Sequence, residues 1–243
     1  MGLTIRNVQV DVPADRHDAA VAFWAGALGA VPRPAGGPFT HLLGVAGTVG
    51  LHLQRLGDGP AGHHLDLEAD DPDAEVSRLL DLGATEGVRS SEGPPVLHDP
   101  AGLAFCVCRR GAGEPERLRE ARADRGFLEM AVVDLPHAEV AAGAAFWAAA
   151  LEVEARPLPP PVDAFTHLHG SHGPDGRPVD LLVQDLGDAT TARLHVDLHL
   201  AERDARGAEV ARLVALGASV EAVRDRWHVL TDPAGNPLCV VPQ

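Results

Sequence analysis

The strongest constraint on how this chain can fold is an internal repeat. Four motifs occur twice in the same order: AFWAGAL at 22–28 and AFWAAAL at 145–151, FTHL at 39–42 and 165–168, HLDL at 64–67 and HVDL at 195–198, and DPAG at 99–102 and 232–235. A repeated order of motifs with only small changes in spacing indicates a duplicated structural unit. The chain is therefore expected to contain two similar halves.

The repeat predicts the domain boundaries. Residues 1–110 and 127–243 are expected to form two domains, each enclosing its own core, in a chain of 243 residues. The segment 111–126 between them is charged, flanked by glycine and low in apolar residues, which is typical of a linker or a short solvated helix.

Each half shows the same change of hydrophobic period. Val8, Val10 and Val12 alternate with polar residues, which predicts a strand, and the motif at 22–28 has helical spacing. Two short strands follow, and then the pattern restarts with a strand at 64–69 and a helix that Asp71 and Pro72 open and Gly83 closes. The turn at 99–102 leads into a last strand. Each half thus reads as strand, helix and strands, twice, in an α+β arrangement.

Composition excludes several classes of partner. The formal net charge is -15 and there is no basic stripe, which argues against binding to nucleic acid. No apolar run approaches the length of a membrane span, and the first residues do not resemble a secretion signal. Three cysteines without metal-finger spacing suit reduced thiols. We expect a cytoplasmic monomer or homodimer whose partner is a small molecule.

The helix motif, the HLDL strand and the D-P-x-G turn before a final strand resemble the βαβββ module of the vicinal oxygen chelate superfamily. This resemblance implies tandem βαβββ modules, four in all, forming two glyoxalase-like domains with curved mixed sheets around a cleft. The superfamily includes glyoxalase I, extradiol dioxygenases, fosfomycin resistance enzymes and bleomycin-type binding proteins.

The resemblance also implies positions for a metal. They hold Asn7, His52, His64 and Cys106 in the first half, and Met130 with Glu129 beside it, Leu182, His195 and Cys239 in the second. We expect His52, His64 and Cys106 to bind at most one divalent, zinc-like metal per chain, because the second half offers fewer donors. Pairing of modules across the repeat would instead group Asn7 and His52 with His195 and Cys239.

Alternation along the strands predicts one polar face in each half. This face is interpreted as lining a ligand cleft, although the solvated side of a half-buried sheet is the alternative. The expected ligand-binding residues are Asn7, Gln9, His41, His52, Gln54, Cys106, His167, His195 and Cys239, and the expected catalytic residues are His64, Asp66 and Glu68. The repetition of His64 and His195 in halves with unequal ligand sets favours a structural role or a shared contact with substrate over metal binding.

Two functions remain open from the sequence. The first is binding of a small organic molecule followed by lyase or isomerase chemistry, with Asp66 or Glu68 moving a proton. The second is a non-catalytic protein of the bleomycin resistance type that sequesters an antibiotic or metabolite. The incomplete set of metal ligands favours the second function, whereas the trio His52, His64 and Cys106 favours the first.

Overall fold

The structure is a computed structural model that describes residues 2–57, 59–87, 93–111, 118–120 and 125–242. Most of the predicted linker, residues 112–117 and 121–124, lies outside the described residues. Among the helices that the structure describes, none is long and apolar enough to cross a membrane.

Each half contains two βαβββ modules. The first half consists of β1 (Thr4–Pro13), α1 (His17–Leu28), β2 (Val31–Pro34), β3 (Phe39–Leu43), β4 (Gly50–Leu56), β5 (Gly62–Ala69), α2 (Pro72–Asp81), β6 (Thr85–Glu86), β7 (Val96–His98) and β8 (Ala104–Arg109). The second half consists of β9 (Phe127–Leu135), α3 (Val140–Leu151), β10 (Glu154–Pro157), β11 (Phe165–His169), β12 (Asp180–Asp185), β13 (Arg193–Leu200), α4 (Arg206–Ala215), β14 (Ser219–Val223), β15 (His228–Thr231) and β16 (Pro237–Pro242). Short 3-10 turns precede α3 and α4.

The strands form two open, mixed sheets of eight strands with identical topology. Their orders are β2-β3-β4-β1-β5-β8-β7-β6 and β10-β11-β12-β9-β13-β16-β15-β14. The first strand of each second module pairs in parallel with the last strand, which pairs in antiparallel with the strand before it. The predicted α+β class with four tandem modules is confirmed.

Local sequence explains how the second module is built. The side chain of Asp71 accepts a hydrogen bond from the Ala74 amide and caps α2, with Pro72 at the first helical position. Gly83 then adopts a φ of 106°, which ends the helix as predicted. The DPAG turn closes with a 2.9 Å bond from the Gly102 amide to the Asp99 carbonyl, and it directs the chain into β8.

The compact units of the chain do not coincide with the two halves. One unit comprises Met1–Asn7, His64–Pro115 and Ala131–Leu194, so it combines the second module of the first half with the first module of the second. The other comprises Val8–His63, Glu116–Met130 and His195–Gln243. Although we expected each half to enclose its own core, each unit draws its core from both halves.

The aromatic cluster of the first unit illustrates this shared core. Phe105 from β8 lies with its ring centroid 5.3 Å from that of Trp147 and 6.1 Å from that of Phe146, both on α3. All three side chains are buried. Packing inside this unit therefore joins residues that are far apart in the sequence and belong to different repeats.

Candidate functional site

The registers of two strand pairs bring the candidate site residues together. In the first half, β5 and β8 run parallel with Asp66 opposite Cys106. Because side chains two residues apart share a face of a strand, His64 lies on the same face as Asp66. The second half repeats this register, with Asp197 opposite Cys239 and His195 two residues before Asp197. Each half therefore presents one imidazole, one carboxylate and one thiol on a common face.

The donor atoms of each trio are close enough to share one ion. In His64, Asp66 and Cys106, and equally in His195, Asp197 and Cys239, one ligand atom from each residue lies within 4.8 Å of the others. His64 and Cys106 are buried, and so are all three members of the second group. We call these trios the first and the second His-Asp-Cys group.

The carboxylate of the first group is held in its ionised form. Asn7 Nδ2 donates to Asp66 Oδ2 at 3.1 Å, and His64 Nε2 lies 3.5 Å from Asp66 Oδ1. Burial alone would raise the pKa of Asp66, but His64, Asn7 and the charge of Arg6 together hold this pKa below its usual range. Asp66 is thus a carboxylate at neutral pH, the form that a metal needs.

The carboxylate of the second group has different hydrogen-bonding neighbours. His195 Nε2 lies 3.1 Å from Asp197 Oδ1. This oxygen is buried and, among the described residues, accepts no hydrogen bond of acceptable geometry. Buried carboxylate oxygens normally have a hydrogen-bond donor or a cation as a partner.

The polar strand faces are buried, which argues against a merely solvated sheet surface. Asn7 is 1 % exposed, Gln9 2 %, His52 3 % and Glu68 4 %. Glu68 faces Arg6, with 3.3 Å between Oε1 and Nη1. Burial of amide, imidazole and carboxylate side chains is expected where they contact a ligand or one another.

His52 is not a member of either His-Asp-Cys group. Its ring stacks on that of His41 with centroids 4.1 Å apart, as the opposed positions of the two residues on β3 and β4 require. Its Nδ1 lies 2.9 Å from the Leu51 carbonyl and 3.2 Å from the Leu42 amide nitrogen. The first group contains Asp66 where the sequence prediction placed His52.

The other predicted ligand-contacting residues lie on separate strands. Gln54 is on β4, opposite Phe39. His167 is on β11, where Nε2 lies 3.0 Å from Asp180 Oδ1, and its ring centroid is 5.6 Å from that of His169. Their role as ligand-binding residues remains a prediction.

Sequence reasoning missed Asp197 altogether and did not name Asp66 as a metal ligand. The signal was available, since H-x-D occurs in both HLDL and HVDL and places the two side chains on one face. The argument that the second half has only two donors, His195 and Cys239, is therefore wrong: Asp197 is the third.

The remaining thiol differs from the two in the groups. Burial, followed by the charges of Asp66 and Cys106, raises the pKa of Cys108 to about 12. This side chain is thus a neutral thiol at physiological pH. All three cysteines are free of disulfides.

The donor sets fit a divalent metal of borderline softness. Imidazole, thiolate and carboxylate are the ligands that zinc takes in proteins, and three protein ligands leave a fourth position open. Asp197 Oδ1, which is buried and receives no well-oriented hydrogen bond from the described residues, is the atom in the second group best placed to bind such a cation. Manganese prefers hard oxygen donors, and in each trio only the carboxylate provides one.

Solved structures with this fold include enzymes of two kinds. The Mn(II)-bound glyoxalase from Novosphingobium aromaticivorans is 17% identical, with 98% of this chain and 81% of that chain covered and a TM-score of 0.68. Homoprotocatechuate 2,3-dioxygenase from Arthrobacter globiformis is 15% identical, with 100% and 80% covered and a TM-score of 0.67. 2,2',3-Trihydroxybiphenyl 1,2-dioxygenase from Sphingomonas wittichii is 14% identical, with 100% and 91% covered and a TM-score of 0.63.

Sequence comparison gives the family. No curated protein matches the chain by sequence. The sequence model of the glyoxalase-like domain matches twice, over residues 7–108 and 130–241, and these two matches span most of the chain. Each match covers most of one pair of βαβββ modules and contains one His-Asp-Cys group. The chain therefore belongs to the glyoxalase-like domain family, with two copies of the domain in tandem.

Proposed function

We propose that the chain binds a small organic molecule next to a zinc-like divalent metal held by a His-Asp-Cys group, and transforms it by proton transfer of the lyase or isomerase type. The observation that carries this proposal is the convergence of three different metal-binding side chains within 4.8 Å in each half. A sheet face with only a structural role could be built from uncharged side chains that bind no ion. A buried imidazole, carboxylate and thiol at one place are more readily explained by a cation.

His64, Asp66 and Cys106 would hold the metal in the first half. A metal bound there would act as a Lewis acid on a carbonyl or hydroxyl oxygen of the ligand. Asn7 would orient Asp66 through its 3.1 Å hydrogen bond to Oδ2, and Oδ1, which lies 3.5 Å from His64 Nε2, would bind the metal beside the imidazole. The buried surroundings of the group would exclude water and strengthen these electrostatic contacts.

Glu68 is the candidate for moving a proton. It follows Asp66 on the same face of β5, and it is buried. Arg6 Nη1 lies 3.3 Å from Glu68 Oε1, so the two side chains form an ion pair, and a carboxylate can accept a proton. Glu68 would therefore act as a base toward a ligand bound at the first group.

A second candidate function is sequestration of an antibiotic or metabolite without catalysis. It is favoured by Asn7 and Met130, which stand at the first-strand positions where the resemblance implied a metal ligand. A binding protein needs a shaped, mostly apolar site with a few polar contacts but no reactive metal.

The experiment that tests the proposal begins with the metal content of protein purified without a histidine tag. Wild type, His64→Ala and a surface control, Arg156→Gln, would then be assayed for the glyoxalase reaction, with cleavage of homoprotocatechuate as a separate test for oxidative chemistry that the proposal does not predict. Bound metal and a turnover that His64→Ala abolishes and Arg156→Gln preserves are expected. If the protein binds metal but turns over none of a broad set of oxo and hydroxy compounds, sequestration is favoured. Protein that binds no metal even after zinc is added would overturn the proposal.

A further inference from the structure

The two His-Asp-Cys groups have the same ligands but different neighbours. In the first group, Asp66 already accepts a hydrogen bond from Asn7 at 3.1 Å. Arg6 adds a positive charge that acts on Asp66 and lies 3.3 Å from Glu68. The carboxylate of this group is therefore stabilised by the protein itself.

The second group has neither of these partners. Met130 stands at the position equivalent to Asn7, and a thioether cannot donate a hydrogen bond to Asp197. Glu129 stands at the position equivalent to Arg6, so that a cation is replaced by an anion. Glu129 Oε2 lies 3.0 Å from His199 Nδ1. Around the second group, the residues at these two positions offer Asp197 no positive charge and no donor.

We infer that the second group, His195, Asp197 and Cys239, is the tighter divalent-cation site of this chain, and that the non-ligand pairs at positions 6–7 and 129–130 cause the difference. The inference rests on the proposed function in one respect, namely that the two groups bind a cation at all. It reverses the expectation from the sequence that the metal belongs to the first half.

Electrostatics gives the direction of the difference. A dication at the second group would bind the buried Asp197 Oδ1, beside which the described residues place His195 Nε2 at 3.1 Å but no well-oriented hydrogen-bond donor, and it would be attracted by Glu129. At the first group, it must share Asp66 with the Asn7 amide, and the adjacent Arg6–Glu68 ion pair, in which the guanidinium stays protonated, provides no net negative charge to attract it. Changes in residues that surround metal ligands typically alter metal affinity about 10- to 100-fold. We expect the second group to bind at least about tenfold more tightly.

Cobalt titration of the metal-free full-length chain distinguishes the two groups. Binding to a thiolate produces a sulfur-to-cobalt charge-transfer band, which reports on Cys106 and Cys239 without any assay of activity. Cys106→Ser should retain the high-affinity transition, whereas Cys239→Ser should leave a transition that is weaker by about tenfold or more. Cys108→Ser serves as the control, because this thiol belongs to neither group.

Variants of the non-ligand residues test the cause. In the Cys239→Ser background, Arg6→Gln should tighten cobalt binding by the first group, and in the Cys106→Ser background, Glu129→Gln should weaken binding by the second. The glutamines keep hydrogen-bonding groups in place, and circular dichroism would verify folding. If Arg6→Gln does not fold, Asn7→Met tests the same asymmetry.

The outcomes separate this inference from the proposed function. Equal affinities, or tighter binding by the first group, would overturn the inference while leaving metal binding intact. Unchanged affinities in both non-ligand variants would overturn the assigned cause. Absence of a charge-transfer band from both thiols would overturn the inference and the proposed function together.

Discussion

Two buried tryptophans bind the turns of the opposite repeat. Trp147 on α3 donates its indole N–H to Asp99 Oδ2 at 2.9 Å, and Trp24 on α1 donates to Asp232 Oδ2 at 2.9 Å. The other oxygen of Asp99 accepts two backbone amides of its own DPAG turn, at Ala101 and Leu103. One carboxylate thus fixes a turn from one repeat against a helix from the other, within one compact unit.

The two tryptophan contacts are expected to differ in energy. Asp232 Oδ2 also accepts a bond from Asn236 Nδ2 at 3.2 Å, whereas the equivalent position in the first half is Leu103. Trp147→Phe should therefore reduce the free energy of unfolding by about 1 kcal/mol more than Trp24→Phe, because it leaves a buried acceptor without its donor. Urea unfolding measures both, with Trp227→Phe as a control. An equal loss in the two variants would contradict the prediction.

An exposed ion pair predicts a local pH dependence. The hydrogen bond and charge of Asp185, 2.6 Å away, raise the pKa of His137, and His137 in turn lowers the pKa of Asp185. The stabilisation from His137 is complete below the unfolded pKa of about 6.5 and is lost as pH rises through the raised folded pKa. In an NMR titration, Asp185→Asn should lower the pKa of His137, while Asp188→Asn should change it much less. An unaltered His137 titration in Asp185→Asn would show that the pair does not form in solution.

At the scale of single residues, the sequence predicts several members of the candidate site but not which of them lie side by side. His64, His195, Cys106 and Cys239 could be named because their types and repeated positions are visible in one strand at a time. The H-x-D spacing could also have named Asp197, but its position opposite Cys239 could not be recognised, because it depends on the register between β13 and β16, which lie far apart in the chain. Likewise, the stacking of His52 on His41 follows from pairing between strands. Cross-strand neighbours are a long-range property of the fold.

At the level of elements, one arginine on each second-module helix caps a first-module helix of the other repeat. Arg212 on α4 donates to the carbonyls of Gly26 and Ala27, at 3.1 and 2.9 Å, near the end of α1. Arg78 on α2 makes the same two contacts to Ala149 and Ala150 on α3, at 3.1 and 2.7 Å. Carbonyls in the last turn of a helix have no partner within the helix, and a cation there is also favoured by the helix dipole.

The two arginines differ in the burial of the glutamate that positions them. Arg212 pairs with Glu209, whose side chain is 3% exposed, and Arg78 pairs with Glu75, whose side chain is 20% exposed. Arg212→Met should reduce the free energy of unfolding by about 3 kcal/mol, since it leaves the buried Glu209 carboxylate with the Gly126 amide, 2.9 Å away, but without a cation. Arg78→Met should cost about 1 kcal/mol.

Chemical denaturation of both arginine variants measures the difference, with Arg156→Met as a control for an exposed ion pair. Adding Glu209→Gln to Arg212→Met should recover part of the loss, because the unpaired charge is then removed. Equal losses for Arg78→Met and Arg212→Met would mean that the carbonyl contacts, rather than the burial of the glutamate, dominate.

On the scale of the whole molecule, the duplication made the element order predictable but not the packing. Repeated motifs and their hydrophobic periods are local, and they identified four βαβββ modules and their class. The composition of the compact units is not local: each unit joins modules from both repeats, as Phe105 packing on Trp147 illustrates. Nothing in the periodicity of one module specifies which other module covers its apolar face.

This exchange of modules predicts how the chain responds to a cut between its repeats. Proteolysis is expected to occur first within residues 111–126, as the composition of this segment suggests. The two fragments should nevertheless elute together in size-exclusion chromatography under native conditions, and should separate only in denaturing urea. Each compact unit contains chain from both sides of the cut, so separation would expose the buried Trp24 and Trp147 to water.

First cuts near Trp24 or Trp147 would contradict the predicted linker, and fragments that elute apart without denaturant would contradict the shared cores. Uncut protein, treated in parallel with inactivated protease, provides the reference elution volume.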